Sequence, residues 1–187
     1  MDAIPKSRYL TYLAVALTGI VADLWTKTAV FSWLGKPLRG ADNTWWLLEP
    51  FIGIQTAVNQ GALFGLGQGM SHFFAALSLV AFVGIFLWLF RFGAAHDRFL
   101  TVILGMITAG IFGNLYDRLG MWHSDEIEEH LRNGVRDWIL LQYPAIGTWP
   151  NFNIADSLLV CGAASLVFHA FWYDESRQTT HPQADKK

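Results

Sequence analysis

Four long stretches of the chain are almost entirely apolar, and polar residues are concentrated between them. The stretches are Tyr9–Val30, Ser71–Phe90, Phe99–Tyr116 and Phe152–Tyr173. Each is close to the roughly 20 residues that an α-helix needs to cross a bilayer. A surface helix of a soluble domain keeps one polar face, which these stretches lack. The pattern predicts one membrane-integral domain over residues 1–187, with four transmembrane helices.

The charges agree with this prediction. The chain has 13 basic and 15 acidic residues, and only Asp23, Lys27 and Asp156 lie inside the apolar stretches. This segregation excludes an ordinary soluble domain and a disordered chain, and the acidic balance gives no support for nucleic-acid binding. A cleaved signal peptide over Tyr9–Ala22 is disfavoured, because the apolar run continues and no small-x-small site ends it. The single cysteine, Cys161, permits no internal disulfide.

Basic residues lie mainly on one side of the predicted membrane. Segments 1–8, 91–98 and 174–187 contain seven basic residues among 30, whereas loops 31–70 and 117–151 contain five among 75. The positive-inside rule therefore predicts that both termini are cytoplasmic. The polar segment 174–187 is expected to be a disordered tail.

The two outer loops hold the non-helical structure. Residues 41–58 are rich in Trp, Ile, Phe and Thr, which favours short strands or a hairpin. Residues 117–151 contain an acidic run at 125–129, and the segment 135–141 that follows it is interpreted as a strand or an interfacial helix.

Small residues recur at a spacing of four in the third and fourth stretches, and we expect them to let helices pack closely in lipid. They are Gly105, Ala109 and Gly113, and then Ser157, Cys161 and Ser165.

Polar side chains cluster at the outer ends of the spans, where ionisable groups are costly and need a partner or a function. Asp23 and Lys27 are four residues apart, so they share a helix face and are expected either to form a structural ion pair or to contact substrate. Asn59 and Gly61 precede the second span, where glycine allows a tight turn.

A further cluster ends the third span. Asn114, Asp117 and Arg118 share a helix face, and we expect Asp117 or another acid to hold the guanidinium of Arg118. The alternative is a polar helix end whose charges form a satisfied structural pair.

Two carboxyl groups suggest chemistry. Asp137 lies among apolar residues, and Asp156 lies one turn into the fourth span, on the same helix face as Asn153. If the preceding loop folds back, the two aspartates meet near the outer interface and share a proton. Such a pair can activate water and protonate a carbonyl oxygen.

Other chemistries have less support. The six histidines are scattered without a metal-binding motif, and Glu126 with His130 favours a solvated surface helix over a metal site. There is no Gly-x-Ser-x-Gly motif and no phosphate-binding loop. The sequence predicts neither a metal nor a cofactor.

The ordered motifs together resemble a known family. They are Asp23-x-x-x-Lys27, Asn59-x-Gly61-Ala62-x-Phe64-Gly65, Gly113-Asn114-x-x-Asp117-Arg118, Val135-x-Asp137 and Phe152-Asn153-x-Ala155-Asp156. In order along four spans, they are similar to lipoprotein signal peptidase (signal peptidase II), the aspartic intramembrane protease of bacteria. The resemblance extends from about Tyr9 to Tyr173.

The resemblance implies a bacterial inner-membrane endopeptidase, expected to be monomeric, that removes the signal peptide of a prolipoprotein at its lipobox. Cleavage falls just before the diacylglyceryl-modified cysteine, and globomycin-type cyclic peptides inhibit such enzymes. The implied fold is four helices with a small β-cradle at 41–58 and a short flap-like helix at 61–68 on the outer face. The implied dyad is Asp137 and Asp156. The implied supporting residues are Asn59, Gly61, Asn114, Asp117, Arg118 and Asn153, with Asp23 and Lys27 bracing the site.

One segment departs from the family pattern. Eighteen residues separate Arg118 from Asp137, which is longer than the family leads us to expect, and Asp125 is a competing candidate for the dyad. Arg136 occupies a usually apolar place. It is expected either to pair with the acidic run and order the loop, or to lower the pKa of the dyad.

Two other functions stay open from the residues alone. A small transporter or channel predicts polar residues through the full depth of the bilayer, but the inner halves of the second to fourth spans are apolar. A structural or assembly protein predicts that Asp156→Asn costs stability without affecting any turnover.

Overall fold

Four long helices form the body of the protein. The computed structural model describes residues 3–37, 43–61, 67–122 and 128–180. The helices are α1 (Lys6–Leu34), α2 (Ser71–Phe86), α3 (Arg98–Arg118) and α4 (Ile154–Thr180), and α2 continues as a π-helical turn, Leu87–Arg91. All four are long and apolar enough to cross a membrane, which confirms the prediction of four helices of membrane-spanning length.

The helices extend past the apolar stretches that predicted them. Helix α1 begins at Lys6 and ends at Leu34, and α4 continues to Thr180. The expectation of a disordered tail is therefore wrong for residues 174–180, and residues 181–187 lie outside the described part of the chain. Bilayer thickness limits only the apolar part of a helix, because backbone hydrogen bonding continues equally well through polar residues in water.

Helix α3 lies at the centre and packs against α1, α2 and α4. Its small residues permit this approach. A Cβ atom on Gly105 would lie 3.1 Å from Val15, and Ala109 is fully buried. The predicted close packing is thus confirmed for α3. It is wrong for Ser157 and Cys161 of α4, which line a cavity.

A four-stranded antiparallel sheet joins the helices at one end. Its strands, in spatial order, are β1 (Thr44–Leu48), β2 (Ile52–Asn59), β3 (Val135–Tyr143) and β4 (Gly147–Phe152). The strands expected within 41–58 are confirmed, and 135–141 is a strand rather than an interfacial helix. The flap expected at 61–68 falls mostly on residues 62–66, which lie outside the described residues.

The register of β2 against β3 positions the segment around Asp137. Ala57 lies opposite Asp137, Val58 opposite Arg136, and a bulge interrupts the pairing between Ile54 and Ala57. Bulges bend a strand and re-aim its side chains. The first three residues of β3 are all buried, so both faces of this strand end are covered by protein.

The opposite end of the bundle is joined by a different contact. Asp97 precedes α3 and accepts a hydrogen bond from the backbone N–H of Leu100 at 3.0 Å, which caps the helix. Its other carboxylate oxygen lies 2.6 Å from Nε2 of His169, on α4. This pair links the start of α3 to α4, at the end of the bundle opposite the sheet.

Candidate active site

Local capping at the start of α4 orients the first aspartate. The backbone N–H of Asp156 donates to Oδ1 of Asn153 at 2.9 Å, and the Asn153 N–H donates to Oδ2 of Asp156 at 3.2 Å. This reciprocal pair is a capping box, in which an N-cap side chain and the side chain three residues later satisfy each other's backbone. The Asn-x-x-Asp spacing before an apolar run was the sequence signal for it. The same spacing also places both residues on one helix face, as the sequence predicts.

Two asparagine side chains connect the two aspartates. Nδ2 of Asn153 donates to Oδ1 of Asp137 at 2.7 Å, and to Oδ1 of Asn114 at 3.2 Å. Nδ2 of Asn114 donates to Oδ1 of Asp156 at 2.8 Å. Residues from α3, β3 and α4 therefore meet in one hydrogen-bonded cluster, although the two aspartates are 19 positions apart in the sequence.

Asp137 is buried in this cluster, with only 1% of its surface exposed. Burial, and then the charge of nearby Asp156, raise the pKa of Asp137 well above its usual value of 3.8, although hydrogen bonds from Asn153 and Asn59 oppose the shift. A carboxyl group with a raised pKa beside a second carboxyl is the arrangement in which two acids share one proton.

The Asp23–Lys27 ion pair braces the cluster from α1. Nζ of Lys27 lies 2.7 Å from Oδ2 of Asp23 and 3.2 Å from Oδ2 of Asp117, and all three side chains are fully buried. Lys27 also donates to Oδ1 of Asn114 at 3.0 Å, so it fixes which way that amide points. Asp23 accepts the backbone N–H of Ala155 at 2.8 Å, which ties α1 to the start of α4.

Arg118 does not pair with Asp117 as its position on α3 suggested. Its Nη2 donates to the carbonyl oxygen of Gly61 at 2.8 Å, and its guanidinium stacks on the ring of Phe74, 4.9 Å from the ring centre. The backbone N–H of Gly61 in turn donates to Oδ1 of Asn59 at 2.9 Å. Arg118 thus holds the segment after β2, and the cations that contact Asp117 are Lys27 and Arg136.

Arg136 takes the place at Asp117 that we expected for Arg118. Its Nη2 and Nε donate to Oδ1 of Asp117 at 2.8 and 3.0 Å. The expected pairing of Arg136 with the acidic run is not found in the described part of that run, where Glu128 pairs with His130 at the exposed surface, and residues 125–127 of the run lie outside the described residues. Asp125, the competing candidate for the dyad, lies outside the described residues.

The charges of the cluster balance if it holds one proton. Three buried cations lie among four carboxyl groups in the part of the chain that the structure describes. The cations are Lys27, Arg118 and Arg136. The carboxyl groups are those of Asp23, Asp117 and Asp137, which are buried, and of Asp156, which is half-buried. Unbalanced buried charge is costly, so this composition favours the state in which the aspartate pair carries a single proton.

An apolar groove of about 520 Å³ leads to this cluster. It runs between α2 and α4 over one face of α3, and its walls are mostly hydrophobic side chains such as Phe74 and Ile111. Leu77 and Val160 line it and are half exposed on the outer surface of the bundle. The end of the groove that meets the cluster, here called its polar end, is lined by Asn59, Asn114, Arg118 and Asp156. Further polar residues of the lining are Ser78, Asn151 and Ser157.

The described residues also offer no obvious metal site. Within them, no three His, Cys, Asp or Glu side chains converge in an arrangement that suits a metal ion. The chemistry of the cluster is that of a carboxyl pair held by amides and cations.

Comparison with known proteins gives the same family from sequence and a matching fold from structure. The family model for signal peptidase (SPase) II matches residues 15–172. A lipoprotein signal peptidase of Rhodopirellula baltica is 50% identical over 169 residues, covering 90% of this chain and 75% of the relative. One of Ectopseudomonas mendocina is 35% identical over 172 residues, covering 90% and 92%.

A bacterial membrane enzyme solved by the in meso method at 2.3 Å resolution has a TM-score of 0.71 at 22% identity, covering 95% of this chain and 94% of that one. A second, solved at 1.9 Å, has a TM-score of 0.66 at 24% identity, covering 86% and 92%. At these identities the likeness concerns the fold alone. The sequence matches settle the relationship, and the chain belongs to the signal peptidase II family of membrane-bound aspartic peptidases, which remove signal peptides from prolipoproteins.

Proposed function

We propose that Asp137 and Asp156 form the catalytic dyad of an endopeptidase that cuts diacylglyceryl-modified prolipoproteins just before the lipidated cysteine. The observation behind this proposal is the hydrogen-bonded set Asp137–Asn153–Asn114–Asp156 at the polar end of an apolar groove. In this set each carboxyl group is oriented by an amide, and one of them is kept protonated by its burial and its neighbour.

The two carboxyl groups have different surroundings, which gives them different roles. Both oxygens of Asp156 accept N–H bonds, from Asn114 and from the Asn153 backbone, and these favour its charged form. Asp137 is the more deeply buried acid. Asp156 is therefore the base that takes a proton from water, and Asp137 is the acid that protonates the scissile carbonyl oxygen.

The reaction then follows the course of an acid–base hydrolysis. The water oxygen bonds to the carbonyl carbon as its proton passes to Asp156 and the Asp137 proton passes to the carbonyl oxygen. The resulting tetrahedral gem-diol collapses when Asp156 returns its proton to the leaving nitrogen and one gem-diol hydroxyl passes its proton back to Asp137. The C–N bond then breaks, the acid product forms, and the dyad regains its starting state. Protons are exchanged only among the two aspartates, the water and the substrate, so the reaction requires no metal.

The groove suits a substrate that arrives within the bilayer. Its apolar walls fit acyl chains and a signal helix, and its exposed lining residues open it sideways to lipid. The lipobox then lies at the polar end, with the diacylglyceryl-cysteine beside the dyad. A globomycin-type cyclic peptide is expected to compete for the same groove, and one chain contains every residue of the proposed site, which is consistent with a monomer.

The distribution of basic residues supports an inner-membrane location, with both termini in the cytoplasm and the sheet and dyad on the outer face. Water then reaches the dyad from the outer side. A reporter that fluoresces only in the cytoplasm, fused to the C-terminus, is expected to be active. A dark but full-length fusion contradicts this orientation.

The decisive experiment is a gel-shift assay in detergent micelles with a diacylglyceryl-modified prolipoprotein. Wild type is expected to cleave it with or without a chelator, whereas Asp137→Asn and Asp156→Asn are expected to be inactive although folded. Glu49→Gln, a neutralising change in the exposed turn before β2, is the matched control and is expected to cleave normally. Cleavage by either aspartate variant refutes the dyad.

A further inference from the structure

Arg136 immediately precedes Asp137 on β3, and it is buried, with 4% of its surface exposed. We infer that Arg136 is a positioning residue for the catalytic reaction: it clamps β3 to α3 through Asp117 and thereby sets the place of Asp137. This inference rests on the proposed function, in which Asp137 is a catalytic acid. No other described arginine contacts Asp117 within hydrogen-bonding distance.

The contact between Arg136 and Asp117 uses both the side chain and the backbone of the arginine. The guanidinium donates twice to Oδ1 of Asp117, at 2.8 and 3.0 Å. The backbone N–H of Arg136 donates to Oδ2 at 2.9 Å. A single residue therefore occupies both oxygens of a fully buried carboxylate. Because Asp117 lies in the last turn of α3, this contact fixes the start of β3 against the central helix.

Contacts from two other segments hold the guanidinium itself. It lies 5.2 Å from the ring centre of Trp122 and 6.0 Å from that of Phe31, and Nη1 donates to Oγ1 of Thr28 at 3.3 Å. Nε1 of Trp122 donates to the carbonyl oxygen of Gly134 at 3.0 Å, which joins the two ends of the long loop. Arg136 is thus fixed from α1, from α3 and from the base of that loop.

One route to the dyad passes through Asn153. The carbonyl oxygen of Arg136 accepts a bond from Nδ2 of Asn153 at 3.3 Å, and the same nitrogen donates to Asp137 at 2.7 Å. A shift of the Arg136 backbone therefore moves both the catalytic side chain and the amide that orients it.

A second route passes through Lys27. This ammonium group contacts Asp23, Asp117 and Asn114, and Asn114 is the donor to Asp156. While the guanidinium occupies Oδ1 of Asp117, Lys27 contacts only Oδ2 of that carboxylate and also keeps its shorter contacts with Asp23 and Asn114. Without Arg136, Asp117 has Lys27 as its remaining cation at contact distance, and the ammonium group is drawn away from Asn114.

The charge of Arg136 also matters to the proton on the dyad. The charged groups packed around Asp137 are Asp23 and Lys27 on α1, Asp117 and Arg118 on α3, Arg136 on β3 and Asp156 on α4. Neutralising Arg136 leaves this set one charge more negative, which favours uptake of a second proton. A doubly protonated dyad has no base, so the acid side of the rate profile moves to higher pH.

The test compares Arg136→Gln and Arg136→Lys with wild type, Asp137→Asn and the control Arg98→Gln, which changes an exposed arginine at the other end of α3. Cleavage of the diacylglyceryl-modified prolipoprotein is measured per folded molecule across pH. Arg136→Gln is expected to lower kcat about 100-fold, the size of effect that a misplacement of roughly 1 Å produces, with KM unchanged. Its acid limb shifts to higher pH.

Arg136→Lys retains the charge but not the two-donor guanidinium, so it is expected to recover part of kcat and the wild-type pH profile. It also serves if the glutamine variant does not fold. A lower unfolding temperature with unchanged kcat per folded molecule and unchanged pH profile overturns the inference, as does full activity in both variants while Asp137→Asn is inactive. Absence of cleavage by folded wild type, in contrast, refutes the proposed function itself.

Discussion

A methyl group added at Gly113 tests how tightly the ion pair of Asp23 with Lys27, which braces the proposed dyad, is packed. Gly113 lies in α3 where α1 and α4 approach. A Cβ atom there would lie 2.5 Å from Oδ2 of Asp23 and 3.0 Å from Cβ of Ala155. The first of these atoms belongs to the fully buried ion pair with Lys27, and the second to the residue that Asp23 anchors. Gly113→Ala therefore forces the carboxylate away from both of its partners.

The size of the effect follows from comparison with a glycine in open surroundings. Gly84 on α2 has no atom within 4 Å of its added Cβ. Both substitutions gain about 1 kcal/mol from the higher helix propensity of alanine. Only Gly113→Ala also meets the overpacking cost of about 1–3 kcal/mol. The difference in stability between the two variants is thus expected to be about 1–3 kcal/mol, with Gly113→Ala the less stable.

The measurement is unfolding of both variants in the same detergent, with cleavage of prolipoprotein recorded in parallel. Gly84→Ala is expected to match or exceed wild type in both respects. Gly113→Ala is expected to lose stability, and to lose kcat because Lys27 moves with Asp23. Equal stability of the two alanine variants would show that α1 and α3 separate easily around Gly113, and that the ion pair of Asp23 with Lys27 is not held rigidly.

Three further results are expected from titratable groups. Asp23→Asn removes the closest carboxylate partner of Lys27. Breaking one side of such a buried ion pair lowers the free energy of unfolding by about 3–5 kcal/mol, and the carboxylate of Asp117, 3.2 Å from Lys27, reduces this loss. Unfolding midpoints equal to that of wild type contradict this expectation. Because burial and a neighbouring charge raise the pKa of Asp137, the stability it contributes is complete below pH 3.8 and is lost as pH rises through the raised value. Asp137→Asn should flatten that part of the stability curve, and an unchanged curve counts against a buried, protonated acid. At Asp97, burial raises the pKa, but hydrogen bonds from a backbone N–H and from His169 outweigh it, so that the pKa is lowered overall. The stability that Asp97 contributes is therefore present above pH 3.8 and is lost as pH falls through the lowered pKa. Asp97→Asn should remove this acid sensitivity in thermal unfolding.

The transmembrane helices were predictable because hydropathy and bilayer thickness act on each span separately. The ion pair of Asp23 with Lys27 was predictable for a similar reason, since a spacing of four fixes their proximity within one helix. The ends of the helices could not be predicted in this way, because polar residues continue α1 and α4 beyond the apolar stretches.

The pairing among the buried charges could not be deduced from sequence. Asp117 and Arg118 are neighbours, yet adjacent residues of a helix point in different directions, and Asp117 contacts Lys27 and Arg136. Which cation reaches it depends on how the long loop returns and on the register of β3. That register depends on a bulge in β2, for which the sequence offers no single diagnostic residue.

The apolar groove means that a prolipoprotein substrate must compete with membrane lipid for the same walls. When no substrate is present, lipid tails have access to its apolar walls, and moving an acyl chain from bilayer to protein releases little hydrophobic free energy. Discrimination must then depend on the polar end, where Asn59 and Arg118 lie beside Asp156. The relevant concentration is the mole fraction of prolipoprotein among lipids or detergent, rather than its molarity in water. Adding inert detergent at constant enzyme and substrate therefore slows turnover by surface dilution.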